Sequence, residues 1–239
     1  MLRSRFALFW NKYRPGRTVL FALALAQPVG ATGQPDQLPP ELAARFPAID
    51  ARAVRQPFNG GDLVRLTDSL AAPYSTELEQ ARAIFAWISE YIAYDCGSEN
   101  RLEKEPDEAV DPLNYTQVQL ENILRTRRTR CDGYAFLFKL MCNLAGIYCT
   151  VLEGYARFSG RQVDPATVQP NHAWNAARLD GRWYEIDPTV GSGHCEGRRF
   201  RRQRTEQYFG MSEDLIERLY IPVEDSRRSF NQGRINLKH

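Results

Sequence analysis

The sequence has little of what metal-binding and redox proteins use. Its 239 residues include only three histidines and five cysteines, and no two cysteines stand in a C-x-x-C spacing. Structural zinc sites draw their ligands from closely spaced Cys and His motifs, and dithiol oxidoreductases use the C-x-x-C pair. The sequence therefore predicts no metal site and no other cofactor, and it gives little support to a disulfide-exchange protein.

A large excess of charge of one sign is also missing. The chain has 31 basic and 29 acidic residues, and five of the basic residues lie within the first 31 positions, which contain no acid. The remaining 26 basic and 29 acidic residues leave the rest of the chain with a formal charge of −3. This balance does not indicate a nucleic-acid partner.

No apolar run reaches the length of about 20 residues that a membrane-spanning helix needs. The apolar run at residues 19–26 follows a basic stretch and precedes small residues at positions 29–31. This order is typical of a secretory signal. We therefore predict a signal peptide over residues 1–31 and a secreted or periplasmic protein with no stable membrane span. The alternative is an uncleaved signal that anchors the chain in the membrane.

The rest of the chain is long enough for one good hydrophobic core. Residues 32–47 are rich in proline and polar residues, which predicts a linker. The single folded domain is expected over residues 48–239.

Cys131 stands at the boundary between a basic segment and an apolar one. Apolar residues then recur at three- and four-residue steps: Phe136, Leu137, Leu140, Met141 and Leu144. This spacing predicts a buried helix that begins at Cys131 and ends near Gly146. The unpaired N–H groups and the dipole at a helix start stabilise an anion, so the position suits a nucleophilic thiolate. The alternative is an inert cysteine packed as a small hydrophobe.

Two strand-like runs, residues 172–179 and 182–187, flank an Asp-Gly pair that predicts a two-residue hairpin turn. This turn places Trp174 opposite Asp187, so His172, Trp174 and Asp187 share one face of the hairpin. His172 and Asp187 are then diagonal neighbours, within reach of an imidazole–carboxylate hydrogen bond. The alternatives are a structural histidine and an aspartate that ends a strand.

The other cysteines leave their pairing open. Without Cys131, four remain, which could form up to two disulfides in an oxidising compartment: Cys96, Cys142, Cys149 and Cys195. Cys131 and Cys142 lie about three turns apart on one predicted helix, too far for a disulfide. Cys131 is therefore a candidate for the unpaired thiol.

These residues have complementary chemistry. A histidine can take a proton from the thiol of Cys131 and return it to a leaving group, and a carboxylate can orient the imidazole. The thiolate could attack an acyl carbon and hold it as a thioester, which water or an amine would then resolve. Cys131, His172 and Asp187 are the predicted catalytic residues.

At these residues the sequence resembles the transglutaminase-like superfamily of papain-like thiol enzymes. Residues 131–135 resemble its nucleophile motif, and residues 171–175 and 180–189 resemble its histidine and aspartate strands. Residues 86–95 are similar to the helix that precedes the core in bacterial members and in the kyphoscoliosis-peptidase group. The resemblance covers roughly residues 48–223.

The resemblance implies an α+β, papain-like fold in which a central helix packs on an antiparallel β-sheet, with Cys131, His172 and Asp187 as a triad. It makes residues 48–239 a transglutaminase-like catalytic domain, and Trp174, Tyr134 and Val190 candidates for its substrate cleft. Two positions depart from the common pattern. Val190 stands where many relatives have tryptophan, and Arg130 precedes the nucleophile where a small or aliphatic residue is common.

The function expected from both lines of reasoning is an exported cysteine-dependent acyl-transfer enzyme that hydrolyses peptide or isopeptide amide bonds. Its partner would be a protein or peptide substrate, and the sequence leaves open whether this substrate is associated with the cell wall. The alternatives are protein crosslinking by the same chemistry and an inactive peptide- or wall-binding module with the same fold. The arginine-rich run at residues 198–204 is either a solvated loop or a surface for anionic wall polymers or lipid headgroups.

Overall fold

The computed structural model describes residues 38–58, 62–97, 112–158 and 163–224, with only the backbone for residues 112–116. The predicted signal peptide, residues 1–31, lies outside the described residues. Within the described ranges, every helix is too short or too polar to cross a bilayer.

Within the described residues, four helices precede the first strand: α1 (Pro40–Ala43), α2 (Phe46–Ala53), α3 (Leu63–Ala71) and α4 (Glu77–Tyr91). The side chains of Asp62 and Thr76 cap α3 and α4 by accepting hydrogen bonds from backbone N–H groups in the first turn. The segment predicted as a linker, residues 32–47, is helical in its second part, and Phe46 is only 1% exposed. Two of the prolines in this segment lie in the first two positions of α1 and α2, where proline favours the start of a helix. Proline content alone therefore does not distinguish a linker from helix starts.

The later part of the chain alternates strands and helices. In order they are β1 (Ala93–Tyr94), α5 (Pro112–Thr126), β2 (Arg128–Thr129), α6 (Cys131–Leu144), β3 (Cys149–Ala156), β4 (His172–Leu179), β5 (Arg182–Ile186), α7 (Pro188–Ser192), β6 (Gly193–Glu196), β7 (Arg199–Arg202), a 3₁₀ turn (Glu206–Tyr208), α8 (Glu213–Leu219) and β8 (Tyr220–Pro222).

The main sheet has four strands in the order β5-β4-β3-β8, and all neighbours are antiparallel. The register predicted for the β4–β5 hairpin is confirmed, because Leu179 pairs with Arg182 and Asn175 with Ile186. The two turn residues have φ of 51° and 85°, the left-handed pair that an Asp-Gly turn adopts. β1 and β2 form a separate parallel pair, and β6 and β7 a separate hairpin.

Helix α6 packs against the sheet, as the predicted fold requires. The side-chain amide of Asn175 on β4 donates to the carbonyl of Ala135 at 3.0 Å, which joins the first turns of the helix to the sheet. Leu137, Phe138 and Met141 on α6 are buried in the main core with apolar residues of α4. The predicted α+β architecture, a central helix on an antiparallel sheet, is therefore confirmed.

The sequence left the pairing of the cysteines open. In the structure, a disulfide joins Cys96, just after β1, to Cys195 in β6. Cys131, Cys142 and Cys149 are free and buried. The bridge attaches the β6–β7 hairpin close to the end of β1, and so helps to hold the arginine-rich run on this side of the domain.

Most of that arginine-rich run is engaged within the chain. Arg201 forms an ion pair with Glu196 at 2.6 Å, and Arg204 lies 3.4 Å from the buried Asp50. Arg202 donates to the carbonyls of Ser89 and Ile92 at the end of α4. These three arginines therefore have structural partners in the fold.

Candidate active site

The first turn of α6 carries Cys131, whose side chain is only 2% exposed. Arg130 is the N-cap residue in an extended conformation, and its carbonyl accepts the first helical hydrogen bond from the N–H of Tyr134 at 3.0 Å. A Cβ added to Gly133 would lie 1.9 Å from Oγ1 of Thr129. Glycine at this position therefore lets β2 run directly against the helix start that holds the sulfur.

His172 and Asp187 lie at corresponding ends of the β4–β5 hairpin. Nε2 of His172 is 2.6 Å from Oδ2 of Asp187. The other carboxylate oxygen, Oδ1, accepts from the N–H groups of Thr189 at 2.9 Å and Val190 at 3.1 Å, so Asp187 is also the N-cap of α7. The helix cap and the imidazole contact fix the carboxylate between them.

The imidazole of His172 joins Asp187 to Cys131. Because Nε2 contacts the carboxylate, Nδ1 is the ring nitrogen that remains available to the side chain of Cys131. Burial lowers the pKa of His172, but the charge of Asp187, the hydrogen bond that the ring donates to it and the interaction with Cys131 outweigh this effect and raise the pKa to about 10. The ring is therefore an imidazolium at neutral pH, which stabilises a thiolate next to it.

The structure adds Tyr220 to the site, a residue for which the sequence predicted no role there. The hydroxyl of Tyr220 donates to Oδ2 of Asp187 at 2.8 Å. The ring of Tyr220 lies beside His172 and Trp174, with centroid distances of 6.0 Å and 5.0 Å. Tyr220 opens a strand of only three residues, which is too short to give a period-two signal in the sequence.

Tyr94 lies at the end of β1, next to the strand that leads into the helix start. Burial and the charge of Cys131 raise the pKa of Tyr94 to about 12, so its hydroxyl stays protonated at neutral pH and can donate a hydrogen bond. The phenol is thus close enough to Cys131 to interact with it electrostatically. Register between β1 and β2 sets this position, because Tyr94 pairs with Thr129, two residues before the cysteine.

The three residues predicted for the substrate cleft have different environments. Tyr134 is fully buried and donates from its hydroxyl to the carbonyl of Ile92. Trp174 is also fully buried, stacks on His172 and donates to Glu185 at 2.8 Å. Both side chains support the site from inside the core, while Val190 is partly exposed and contributes its backbone N–H to Asp187.

A half-exposed aromatic side chain also lies next to the imidazole. Phe158 is 45% exposed, and its ring lies edge-on to His172 with a centroid distance of 5.1 Å. It also contacts Tyr220 at 5.6 Å. The ring of Phe158 therefore gives this site an apolar wall next to the imidazole.

Comparison with known proteins agrees with the resemblance seen in the motifs. Human kyphoscoliosis peptidase is 37% identical over 150 residues, which cover 62% of this chain and 21% of that protein. Hillarin of Drosophila melanogaster is 29% identical over 136 residues, 56% of this chain and 14% of that protein. The chain thus spans about a fifth or less of the length of these relatives.

A crystal structure described as that of a TGase is similar to this chain, with 18% sequence identity and a TM-score of 0.38. The matched region covers 87% of this chain and 42% of the TGase chain. The family model of the transglutaminase-like superfamily core matches residues 64–188, just over half of the chain, and includes Cys131, His172 and Asp187. The chain therefore belongs to the transglutaminase-like superfamily.

Proposed function

We propose that this domain is a cysteine-dependent acyl-transfer enzyme that hydrolyses peptide or isopeptide amide bonds. Cys131 is the nucleophile, His172 the acid and base, and Asp187 the residue that orients the imidazole. The observation that carries the proposal is the 2.6 Å contact between Nε2 of His172 and Oδ2 of Asp187, which leaves Nδ1 for Cys131, a group that itself raises the pKa of His172. The name of the human relative, a peptidase, agrees with this reaction.

The first half of the reaction forms a thioester. The thiolate of Cys131 attacks the amide carbon, and the carbonyl electron pair moves to the oxygen. When this intermediate collapses, the C–N bond breaks and the proton on Nδ1 of His172 passes to the departing amine. Histidine is then neutral, and Asp187 keeps its ring in place.

The second half releases the acid. Neutral His172 takes a proton from water at Nδ1 while the water oxygen attacks the thioester carbon. The C–S bond breaks, the thiolate returns, and the imidazolium forms again next to Asp187. With an amine in place of water, the same steps would produce an isopeptide crosslink.

The oxyanion formed in both halves needs hydrogen-bond donors near Cys131. The backbone N–H of Cys131 lies in the first turn of α6, where N–H groups have no helical acceptor. The protonated hydroxyl of Tyr94 is the proposed second donor, since Tyr94 pairs with Thr129, two residues before the cysteine, and the charge of Cys131 contributes to its raised pKa. The phenol would stabilise the negative charge only as it develops.

The substrate side of the site is proposed to include Phe158. Its half-exposed ring borders His172, where it would contact the side chain next to the scissile bond. The substrate would then be a peptide or protein with an apolar residue at that position. Wall-associated proteins and peptides are included in this class.

Export is also part of the proposal. The order of basic, apolar and small residues over positions 1–31 supports a signal peptide. The Cys96–Cys195 disulfide supports an oxidising compartment, because cytosolic thiols are kept reduced. Fractionation of cells that produce the full chain, with sequencing of the mature N-terminus, tests both points. An intact N-terminus in the cytosol contradicts them.

The reaction is tested by incubating the purified protein with peptide and isopeptide libraries and following the products by mass spectrometry. Hydrolysis adds one water per broken bond, whereas crosslinking joins two peptides with loss of ammonia. Cys131→Ala should abolish either product, and Cys142→Ala, the same change at a buried position of the same helix, should leave activity intact. Equal turnover by both variants would rule out the assignment.

A further inference from the structure

Tyr220 contributes to the site through Asp187. Its hydroxyl donates to Oδ2 at 2.8 Å, and this is the oxygen that contacts Nε2 of His172 at 2.6 Å. The hydroxyl is therefore engaged with the carboxylate, one step removed from the cysteine. Any role it has in the reaction acts through the carboxylate.

The hydrogen bonds on Asp187 show what the hydroxyl adds. An ionised carboxylate has about four acceptor sites, two on each oxygen. Oδ1 accepts from the N–H groups of Thr189 and Val190, and Oδ2 accepts from His172 and Tyr220. Each oxygen thus has two donors, and the buried carboxylate cannot rotate without losing one of them. If the Tyr220 hydroxyl were removed, Oδ2 would lose one of its two donors and would keep the imidazole of His172.

The sheet fixes the position of Tyr220 independently of the site. Tyr220 pairs with Ala156 on β3, and Gly154, two residues earlier, pairs with His172 on the other side of that strand. Residues paired across strands share a face, so Tyr220 and His172 lie on the same face with only Gly154 and Ala156 between them. These two small residues leave room for the tyrosine ring to reach across β3 towards Asp187.

Close packing at β8 makes that reach possible. A Cβ on Gly154 would lie 2.2 Å from the carbonyl oxygen of Ile221, so only glycine allows β8 to lie this close to β3. The ring of Tyr220 then packs on Trp174 and Phe158, and is itself buried. Its hydroxyl is therefore held in one place by packing, as a positioning group has to be.

We propose that Tyr220 is a positioning residue of the catalytic set. Its hydroxyl holds Oδ2 of Asp187 in line with Nε2 of His172, and so keeps Nδ1 directed at the sulfur of Cys131. The inference rests on the proposed function of the site, because it assigns Tyr220 a part in forming the thiolate–imidazolium pair.

The test is the pH dependence of Cys131 alkylation by iodoacetamide in the full chain. A hydrogen bond to a charged group can shift a protonation equilibrium by about one pH unit. Tyr220→Phe keeps the ring and removes the hydroxyl, and should move the acidic limb of the profile about one unit towards higher pH. Its alkylation rate at about pH 6 should fall about tenfold.

Tyr155→Phe is the matched control. Tyr155 is a buried tyrosine of β3 whose hydroxyl donates to the carbonyl of Pro165 at 3.2 Å, so the variant loses one hydrogen bond without affecting Asp187. Its alkylation profile should match that of the wild type even if both variants unfold at a lower temperature. A merely structural role for Tyr220 would lower the unfolding temperature and leave the profile in place, and this result overturns the inference.

A second measurement tests whether the effect passes through Asp187. Tyr220→Phe should have no further effect on the profile in an Asp187→Asn background, and an equal effect in both backgrounds contradicts the inference. Failure of the proposed function gives a different result. In that case the wild-type cysteine reacts no faster than a free thiol, whereas fast wild-type alkylation with an unchanged Tyr220→Phe profile removes only the role of Tyr220.

Discussion

His172 and Asp187 are 15 residues apart in the chain, and Nε2 of the one lies 2.6 Å from Oδ2 of the other. The Asp-Gly turn and the regular pairing of β4 with β5 bring them together. Asp187 follows the last residue of β5 directly, where the chain leaves the strand and begins α7. The same carboxylate therefore ends a strand, caps a helix and orients the imidazole.

Replacing Asp187 by asparagine keeps the shape of the side chain and removes its charge. Without that charge the imidazolium loses its main stabilising partner, so the pKa of His172 should fall from about 10 towards its ordinary value of 6.5. Turnover of a peptide substrate should fall by up to about 10⁴-fold, the loss that follows when the carboxylate of a Ser-His-Asp triad is neutralised. NMR titration of the His172 ring measures the pKa directly, and an unchanged titration would contradict this account.

The raised pKa of His172 also predicts how stability depends on pH. A group whose pKa is higher in the folded state than in the unfolded chain stabilises the fold fully below the unfolded value, here about 6.5, and this contribution is lost as the pH rises through about 10. The free energy of unfolding of the wild type should therefore exceed that of His172→Gln most at about pH 6 and converge with it above about pH 10. Urea unfolding of both proteins across this range measures the difference. A constant difference at all pH values would contradict the ion pair.

Gly133 is predicted to be essential for the position of the cysteine. The added methyl of Gly133→Ala would overlap the side chain of Thr129, so either β2 or the helix start has to shift. We expect a loss of about 1–3 kcal/mol in unfolding free energy and slower alkylation of Cys131.

Gly146→Ala is the control for this change, because it lies beyond the other end of the same helix. There the new methyl would have open space, and the cost of about 1 kcal/mol comes only from the positive φ of 83°. Its Cys131 should react at the wild-type rate. If Gly133→Ala does the same, then the contact between Thr129 and Gly133 does not position the sulfur.

The Tyr94→Phe variant distinguishes stabilisation of the oxyanion from activation of the thiol. Tyr94→Phe should lower kcat for amide hydrolysis about 10²–10³-fold, the usual effect of losing one oxyanion donor. Alkylation of Cys131 by iodoacetamide forms no oxyanion, so its rate should change little. A parallel loss in both rates would show that the phenol acts on the cysteine itself.

The Cys96–Cys195 disulfide should stabilise the protein mainly because it restricts the unfolded chain. The bridge spans 99 residues, and loops of that size correspond to about 4–5 kcal/mol in the chain-entropy model. Cys96→Ser should therefore lower the midpoint of urea unfolding clearly, and more than Cys142→Ser, which alters a free thiol. Thiol titration of the unfolded, non-reduced wild type should count three free cysteines, and a count of one or five would contradict this pairing.

Much of the site followed from local sequence signals. The Asp-Gly turn fixes the hairpin register by itself, and the apolar spacing after Cys131 marks the helix start. Both signals concern residues close together in the chain. They were therefore enough to predict that His172 and Asp187 share a face.

The remaining features depend on contacts between distant segments. The disulfide partner of Cys96 is 99 residues away, and Tyr220 reaches Asp187 over a separation of 33. The second part of the expected linker is helical because Phe46 packs against Phe209, far along the chain. No local pattern of polarity or turn residues encodes such contacts.

The central claim is that Cys131 is kept reactive by His172. It is tested most directly by the rate of iodoacetamide alkylation at about pH 6, where an ordinary thiol with a pKa of about 8.5 is almost fully protonated. The wild type should be labelled stoichiometrically at Cys131, much faster than a free thiol, and His172→Ala should lose this advantage. Labelling of the wild type no faster than that of a free thiol, or an unchanged rate in His172→Ala, would contradict the account.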